Sequence, residues 1–219
     1  MNRKIGFIGC YSHDVILMLT KTMGSLGKKV LLRDCNRYHT LHASVPLPEE
    51  IDEKLTVLEY DGFWFTKDGI VDETVEEFDF EFIDFGMVET EEDISTCEEM
   101  IVITDIMLHH IRRLEKIRIP KEKVKICVLR DLYEDVCKNE REIKTFLQSF
   151  PDKKVFYLPT DVRDVKNRYV CESLHEYNVS KASYEMRDMI YRLAERFCPE
   201  YSGKEIRRRI KYRERRRYR

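Results

Sequence analysis

The sequence predicts a single α/β domain built on a doubly wound, mainly parallel sheet. Short apolar segments alternate along the chain with stretches of helical length and polarity, and this alternation is typical of parallel sheets covered by helices on both faces. A chain of 219 residues is long enough to bury a core without disulfides. Because the sequence contains only 8 Gly and 6 Pro, collagen-like and low-complexity classes are excluded. We assign the domain to residues 1–203.

The first segments predict a strand, a helix and a second parallel strand. Residues 3–9 are a short apolar run that ends in Gly9, and residues 14–26 carry apolar side chains at helical spacing before Gly27. Glycine is favoured directly after a helix because it adopts the left-handed conformation without steric cost. Residues 29–34 resume an apolar strand, so residues 3–34 form a βαβ unit.

The middle of the chain predicts a hairpin and four further buried strands. Residues 55–60 and 63–66 flank Asp61-Gly62, a pair typical of two-residue hairpin turns. We place this hairpin in an acidic insertion near residues 49–77. The remaining elements are strands at 79–84, 100–104, 124–129 and 155–158, and a packed helix at 181–197 that ends before Pro199.

The net charge of −2 conceals two regions of opposite charge. Residues 204–219 contain ten Lys or Arg and two Glu, a net charge of +8, whereas the other 203 residues carry −10. We therefore expect a basic C-terminal extension, outside the fold, that docks on anionic lipid, nucleic acid or an acidic protein surface. A solvated end that only improves solubility is the alternative. The predicted partner-binding residues are Arg207, Arg208, Arg209, Lys211, Arg213, Arg215, Arg216 and Arg217.

Cysteine usage and hydropathy predict a cytoplasmic protein. Seven cysteines without a Cys-x-x-Cys pair, mostly in apolar segments, are typical of a reducing compartment. No apolar run approaches the roughly 20 residues of a membrane span, so membrane contact would be peripheral, at the inner membrane. No metal site is expected, because Cys127 and Cys137 have no partner at ligand spacing and the adjacent His109 and His110 cannot both reach one ion.

The turn after the first strand is where an open parallel sheet usually binds phosphate. It has one glycine and no lysine, so it is not the glycine-rich loop of P-loop nucleotidases. Amides at the start of the following helix offer a weak anion site, which Asp14 opposes; an ordinary tight turn with Ser12 or Asp14 as helix N-cap is the alternative. The residues of the turn are Gly9, Cys10, Tyr11, Ser12, His13 and Asp14.

Polar side chains also end the next two buried strands. Asp34 and Asn36 follow one strand, and Asp84 ends another. Carboxylates at the ends of adjacent strands are what a magnesium site beside a phosphate would use. Capping of a loop or helix at the strand end is the alternative.

Four segments resemble the ParA/MinD family of deviant-Walker ATPases, and together they span most of the body. Residues 28–36 are similar to the strand that leads into the family's Asp-x-Asp switch, and residues 78–86 to its second Asp-bearing strand. Residues 100–105 resemble the strand that follows, and residues 158–161, Leu-Pro-Thr-Asp, its late Pro-x-Asp segment. The resemblance implies a P-loop NTPase-like fold and a shared dimer geometry.

The departures from the family pattern lie where catalysis would occur. Ser12 stands in place of the P-loop lysine, His13 and Asp14 replace a threonine pair, and Asn36 replaces the second switch carboxylate, whereas Asp84 is kept. The resemblance thus implies a degenerate P-loop, as in pilus-localisation proteins of the TadZ/CpaE type. The vestigial nucleotide site would comprise Gly9, Cys10, Tyr11, Ser12, His13, Asp14, Asp34, Asn36 and Asp84.

These observations favour a pseudo-ATPase, without catalytic residues, that acts as a positioning or assembly scaffold through protein contacts. A protein partner and a homodimer are expected, whereas bound ATP and Mg²⁺ are not. Two alternatives remain open: an active nucleotide-dependent ATPase with an atypical phosphate loop, and a nucleic-acid-associated partition factor that uses the basic tail.

Overall fold

The computed structural model describes residues 3–46, 57–66, 78–87, 94–133 and 140–217, with side chains as far as Glu214. Eight strands form one sheet, with neighbours in the order β3-β4-β2-β5-β1-β6-β7-β8. All pairings are parallel except β3 with β4. The strands are β1 (Arg3–Gly9), β2 (Val30–Asp34), β3 (Leu58–Tyr60), β4 (Phe63–Thr66), β5 (Phe80–Gly86), β6 (Glu99–Thr104), β7 (Val124–Leu132) and β8 (Lys154–Pro159).

Helices cover both faces of the sheet, as predicted for a doubly wound fold. We number those in the described residues α1 (His13–Ser25), α2 (Thr40–Ser44), α3 (Leu108–Lys116), α4 (Glu140–Gln148), α5 (Val162–Leu174), α6 (Tyr184–Phe197) and α7 (Gly203–Arg217). Gly27, at φ +84°, follows α1 in the left-handed region as expected.

The central strands are apolar throughout because both of their faces are buried. Along β6, Ile101 and Ile103 belong to a core under α1, α6 and α7, whereas Met100 and Val102 belong to a second core under α3 and α4. Successive side chains of a strand point to opposite faces, so one short segment contributes to two cores. This explains why these strands read as continuous apolar runs rather than alternating ones.

The predicted hairpin is confirmed and extends the main sheet. β3 and β4 pair across Asp61-Gly62, and β4 runs parallel to β2, which leaves β3 as the edge strand of the sheet. Most of the predicted acidic insertion, at residues 49–56 and 67–77, lies outside the described residues, as does Cys137.

The expectation that residues 204–219 lie outside the fold is wrong. α7 packs against α1 and α6, and Ile206 and Ile210 are buried in the same core as the apolar faces of those helices. Farther along α7, Arg213 donates a 2.6 Å hydrogen bond to the carbonyl of Asp61 in the hairpin turn. The four-residue spacing of the two isoleucines therefore marks a packing face.

Candidate functional site

The turn after β1 lies at the carboxyl edge of the sheet, between β5 and β6. Gly9 has φ +135°, and a Cβ atom there would lie 1.7 Å from the carbonyl oxygen of Ile103. Only glycine allows β1 to approach β6 so closely before the turn begins. Tyr11, at φ +53°, completes the bend into α1, and the residue is 47% exposed.

A buried ion pair closes this turn. The guanidinium of Arg130, at the end of β7, donates to both carboxylate oxygens of Asp14 at 2.9 and 2.8 Å, and also to the carbonyl of Tyr11. Both side chains are at most 2% exposed. Burial alone would raise the pKa of Asp14, but the charge and hydrogen bonds of Arg130 outweigh it and hold that pKa well below its usual range. Asp14 is therefore an anion fixed in the first turn of α1.

A second guanidinium covers the same turn from α5. Arg168 donates to both oxygens of Asp131 at 3.0 Å and lies over the Tyr11 ring, 4.8 Å from its centroid. Its Nε is also 3.9 Å from Asp14 Oδ2. Both arginines beside the turn thus face carboxylates of the chain itself.

Asp84 is the centre of a hydrogen-bond network on the other side of the turn. The Ser12 hydroxyl donates to Asp84 Oδ1 at 2.9 Å, and the amide N–H of Gly86 donates to the same oxygen at 3.1 Å. Thr40 and Asn36 donate to Oδ2 at 3.3 and 3.5 Å. The Ser12 hydroxyl is directed at the buried carboxylate and accepts no capping hydrogen bond from the amides of α1.

Asp34 is the register partner of Asp84 on the neighbouring strand, as its place at the end of β2 predicted. It accepts hydrogen bonds from the amides of His42 and Asn36 at 2.8 and 3.0 Å. Burial raises the pKa of Asp34. Burial and then the nearby charge of Asp34 raise the pKa of Asp84 to about 6.

The residues around the turn do not fit a magnesium-bound triphosphate. A phosphate at the start of α1 would meet the buried Asp14 carboxylate, which already accepts from the amide of Val15 at 2.8 Å. Asp84 and Asp34 have their oxygens engaged by the chain, and the turn supplies no lysine. We therefore derive no chemical step through a nucleotide.

The other two predicted residues of the turn, Cys10 and His13, are also buried. Cys10 faces β6, where its thiol lies 3.9 Å from the Thr104 hydroxyl, and burial raises its pKa to about 11. His13 is buried at the first position of α1. The nine predicted residues of the vestigial site therefore share one edge of the sheet, but Cys10 belongs to a different cluster from Asp84.

Sequence reasoning missed Arg130 and Arg168. Arg130 directly follows the predicted apolar strand at residues 124–129, and a charged residue at that place was a usable signal. Arg168 lies within α5 without any local feature to distinguish it. Asp161, in the Pro-x-Asp segment, caps α5 by accepting from the amide of Arg163 at 2.8 Å.

The predicted partner-binding residues of α7 have different environments. Arg207 lies 3.5 Å from Asp188, Arg209 lies over the Tyr201 ring, and Arg213 braces the hairpin. Arg208 and Lys211 are exposed. The side chains of Arg215, Arg216 and Arg217 lie outside the described residues. None of the described helices has a stretch long and apolar enough to cross a membrane.

Solved structures with the same architecture agree with this fold. A chain in the MinC:MinD cell division protein complex of Aquifex aeolicus superimposes with a TM-score of 0.62 at 15% identity, over 87% of this chain and 95% of that chain. The protein described here therefore has the ParA/MinD fold. MinD of Aquifex aeolicus gives a TM-score of 0.61 at 12% identity, over 91% and 98% of the two chains. Apo McdA of Cyanthece gives 0.57 at 8% identity, over 96% and 100%.

No family model matches the sequence, and no curated protein does so either. At the identities of the solved structures, the likeness establishes the ParA/MinD fold and no particular activity.

Proposed function

We propose that this chain is a non-hydrolysing protein of the ParA/MinD fold that acts as a positioning or assembly scaffold through protein contacts. The observation that carries the proposal is the Arg130–Asp14 ion pair in the turn where that fold would hold phosphate. Because the pair is buried and bidentate, a phosphate could enter only by breaking it.

The loss of hydrolysis follows from electrostatics. Phosphoryl transfer is catalysed mainly by fixed positive charge placed on the transferring group. Here the guanidinium groups of Arg130 and Arg168 contact Asp14 and Asp131. Ser12, in place of the lysine, binds Asp84.

Exposed apolar side chains support the protein-contact mode. Four large side chains follow β1, β2, β6 and β7 at the carboxyl edge of the sheet. Each of these four residues is between 47% and 68% exposed. Tyrosine and methionine are enriched at protein interfaces. The four residues are Tyr11, Tyr38, Met107 and Tyr133. That a chain of the same fold occurs in a MinC:MinD complex supports a protein partner for this one.

The direct test is nucleotide binding and turnover by the full chain. We expect isothermal titration with Mg-ATP or Mg-ADP to give no binding tighter than millimolar, and phosphate release to stay at background. The comparison variants are Asp84→Ala and, on the exposed face of α3, Glu115→Ala. A magnesium-dependent rate that Asp84→Ala abolishes and Glu115→Ala preserves would instead establish the ATPase alternative.

A further inference from the structure

Three potential metal ligands converge on the side of the turn that faces β6. Cys10 follows β1, Asp105 follows β6, and His110 lies in the first turn of α3. One ligand atom from each side chain lies within 4.8 Å of the other two. Cys10 is 8% exposed and Asp105 is 7% exposed, so two of the three ligand atoms are held inside the protein.

The backbone fixes the positions of these side chains. The amide of Cys10 donates to the carbonyl of Ile103 at 3.0 Å, which ties the turn to the end of β6. Asp105 Oδ1 accepts from the amide of Met107 at 2.9 Å and lies 2.8 Å from His110 Nδ1. A site of this kind is partly organised before any ion binds.

The combination of ligand types selects the ion. Thiolate, imidazole and carboxylate together favour Zn²⁺, whereas Ca²⁺ and Mg²⁺ require oxygen ligands. At ordinary zinc–ligand distances, tetrahedral geometry separates the ligand atoms by about 3.3 to 3.8 Å. The widest separation, at most 4.8 Å, therefore has to shrink by about 1 Å, and the 2.8 Å contact between Asp105 and His110 has to widen by about 0.6 Å. Side-chain rotation can supply both changes.

We propose that Cys10, Asp105 and His110 form a zinc site with one open coordination position. On binding, the Cys10 S–H bond breaks and its proton passes to water, while the sulfur lone pair binds Zn²⁺. A neutral His110 nitrogen and an Asp105 oxygen complete the protein ligands, so zinc replaces their mutual hydrogen bond. Because the His110 side chain is 19% exposed, water has access to the fourth position.

The site would join the β1–α1 turn, the end of β6 and α3 through one ion. It lies beside the Arg130–Asp14 pair but uses none of its atoms. It therefore goes beyond the scaffold function proposed above and does not depend on it.

The experiment is metal titration of the untagged full chain after removal of metal by a chelator. We expect one equivalent of Co²⁺ to bind with the absorption band of a cobalt–thiolate bond, and Zn²⁺ to displace it. Cys10→Ser and His110→Gln are expected to abolish the band. Two matched controls, Cys35→Ser and His109→Gln, are expected to retain it.

Zinc should also raise the melting temperature of the wild-type chain and of both controls, but not that of Cys10→Ser or His110→Gln. Circular dichroism verifies that each variant folds, and either site variant alone suffices for the comparison. Absence of a thiolate band in the wild-type chain, or a band that survives both site substitutions, would overturn the proposal. Asp105 and His110 would then be a hydrogen-bonded pair beside a buried thiol.

Discussion

Two buried carboxylates behave in opposite ways because of their neighbours. Asp14 faces a guanidinium and remains charged, whereas Asp84 faces hydroxyl and amide donors and the second carboxylate of Asp34. Burial disfavours the charged form of both, so the difference comes from the partner.

The Arg130–Asp14 pair is expected to be strongly coupled. Either Arg130→Met or Asp14→Asn leaves a buried group without its partner and should lower the free energy of unfolding by about 3–5 kcal/mol. The double variant should lose clearly less than the sum of the two. Urea denaturation of the four proteins measures the coupling.

The control is Arg163→Met, which breaks an exposed pair with Asp161 whose charged atoms are 2.6 Å apart. Exposed pairs contribute little, so we expect almost no change in stability. Additive losses in the buried pair would contradict the interpretation that Arg130 and Asp14 hold each other in the turn.

Asp84 gives the stability a pH dependence of defined sign. Its pKa is about 6 in the folded chain but about 3.9 in an unfolded one. Between these values the folded state binds more protons, so the free energy of unfolding falls as pH rises, by at most about 3 kcal/mol. We expect Asp84→Asn to flatten this fall, as measured by denaturant titrations from pH 4 to pH 7.

The surface variant Glu115→Gln provides the comparison and is expected to keep the wild-type profile. If Asp84→Asn and the wild type lost stability in parallel across this pH range, the Asp84 carboxyl would not be the source of the pH dependence.

At the scale of elements, the strands were more predictable than their contacts. A continuous apolar run identifies a strand buried on both faces, and Asp34 and Asp84 were expected to be neighbours because they end such strands. Arg130 could not be paired with Asp14 from sequence, since 116 residues separate them. The sequence of α7 consists mostly of charged residues, and the spacing of its two isoleucines does not show which helices they pack against.

The apolar face of α7 is expected to contribute directly to stability. Ile206 is completely buried and Ile210 is 4% exposed, so Ile206→Ala or Ile210→Ala should each cost about 2–5 kcal/mol. Arg208→Ala, on the exposed side of the same helix, should leave the unfolding midpoint unchanged. Chemical denaturation distinguishes a packed helix from a solvated one, for which all three substitutions would be neutral.

At the scale of the whole molecule, one core connects the sheet edge to the C-terminal helices. Phe63 and Phe65 of the hairpin belong to the same cluster as Met23 of α1 and Ile206 of α7. Elements that share a core are expected to unfold together.

The single tryptophan makes this testable. Trp64 lies in β4, the second strand from the edge of the sheet. Its fluorescence therefore reports on the hairpin, while far-ultraviolet circular dichroism reports mainly on the helices. We expect the two denaturation curves to coincide and Ile206→Ala to shift both equally. Separate transitions would mean that the hairpin unfolds as an independent unit.

The contacts of α6 and α7 also determine when the chain can finish folding as it is synthesised. Met23 in α1 and Leu26 directly after it contact Cys198 and Tyr201, which lie 175 residues later in the sequence. Asp61 in the hairpin turn is contacted by Arg213, which lies 152 residues later. Until α6 and α7 leave the ribosome, the side of α1 that packs against them stays exposed. A nascent chain halted before residue 203 therefore presents a bare apolar surface, the form that chaperones bind and proteases remove.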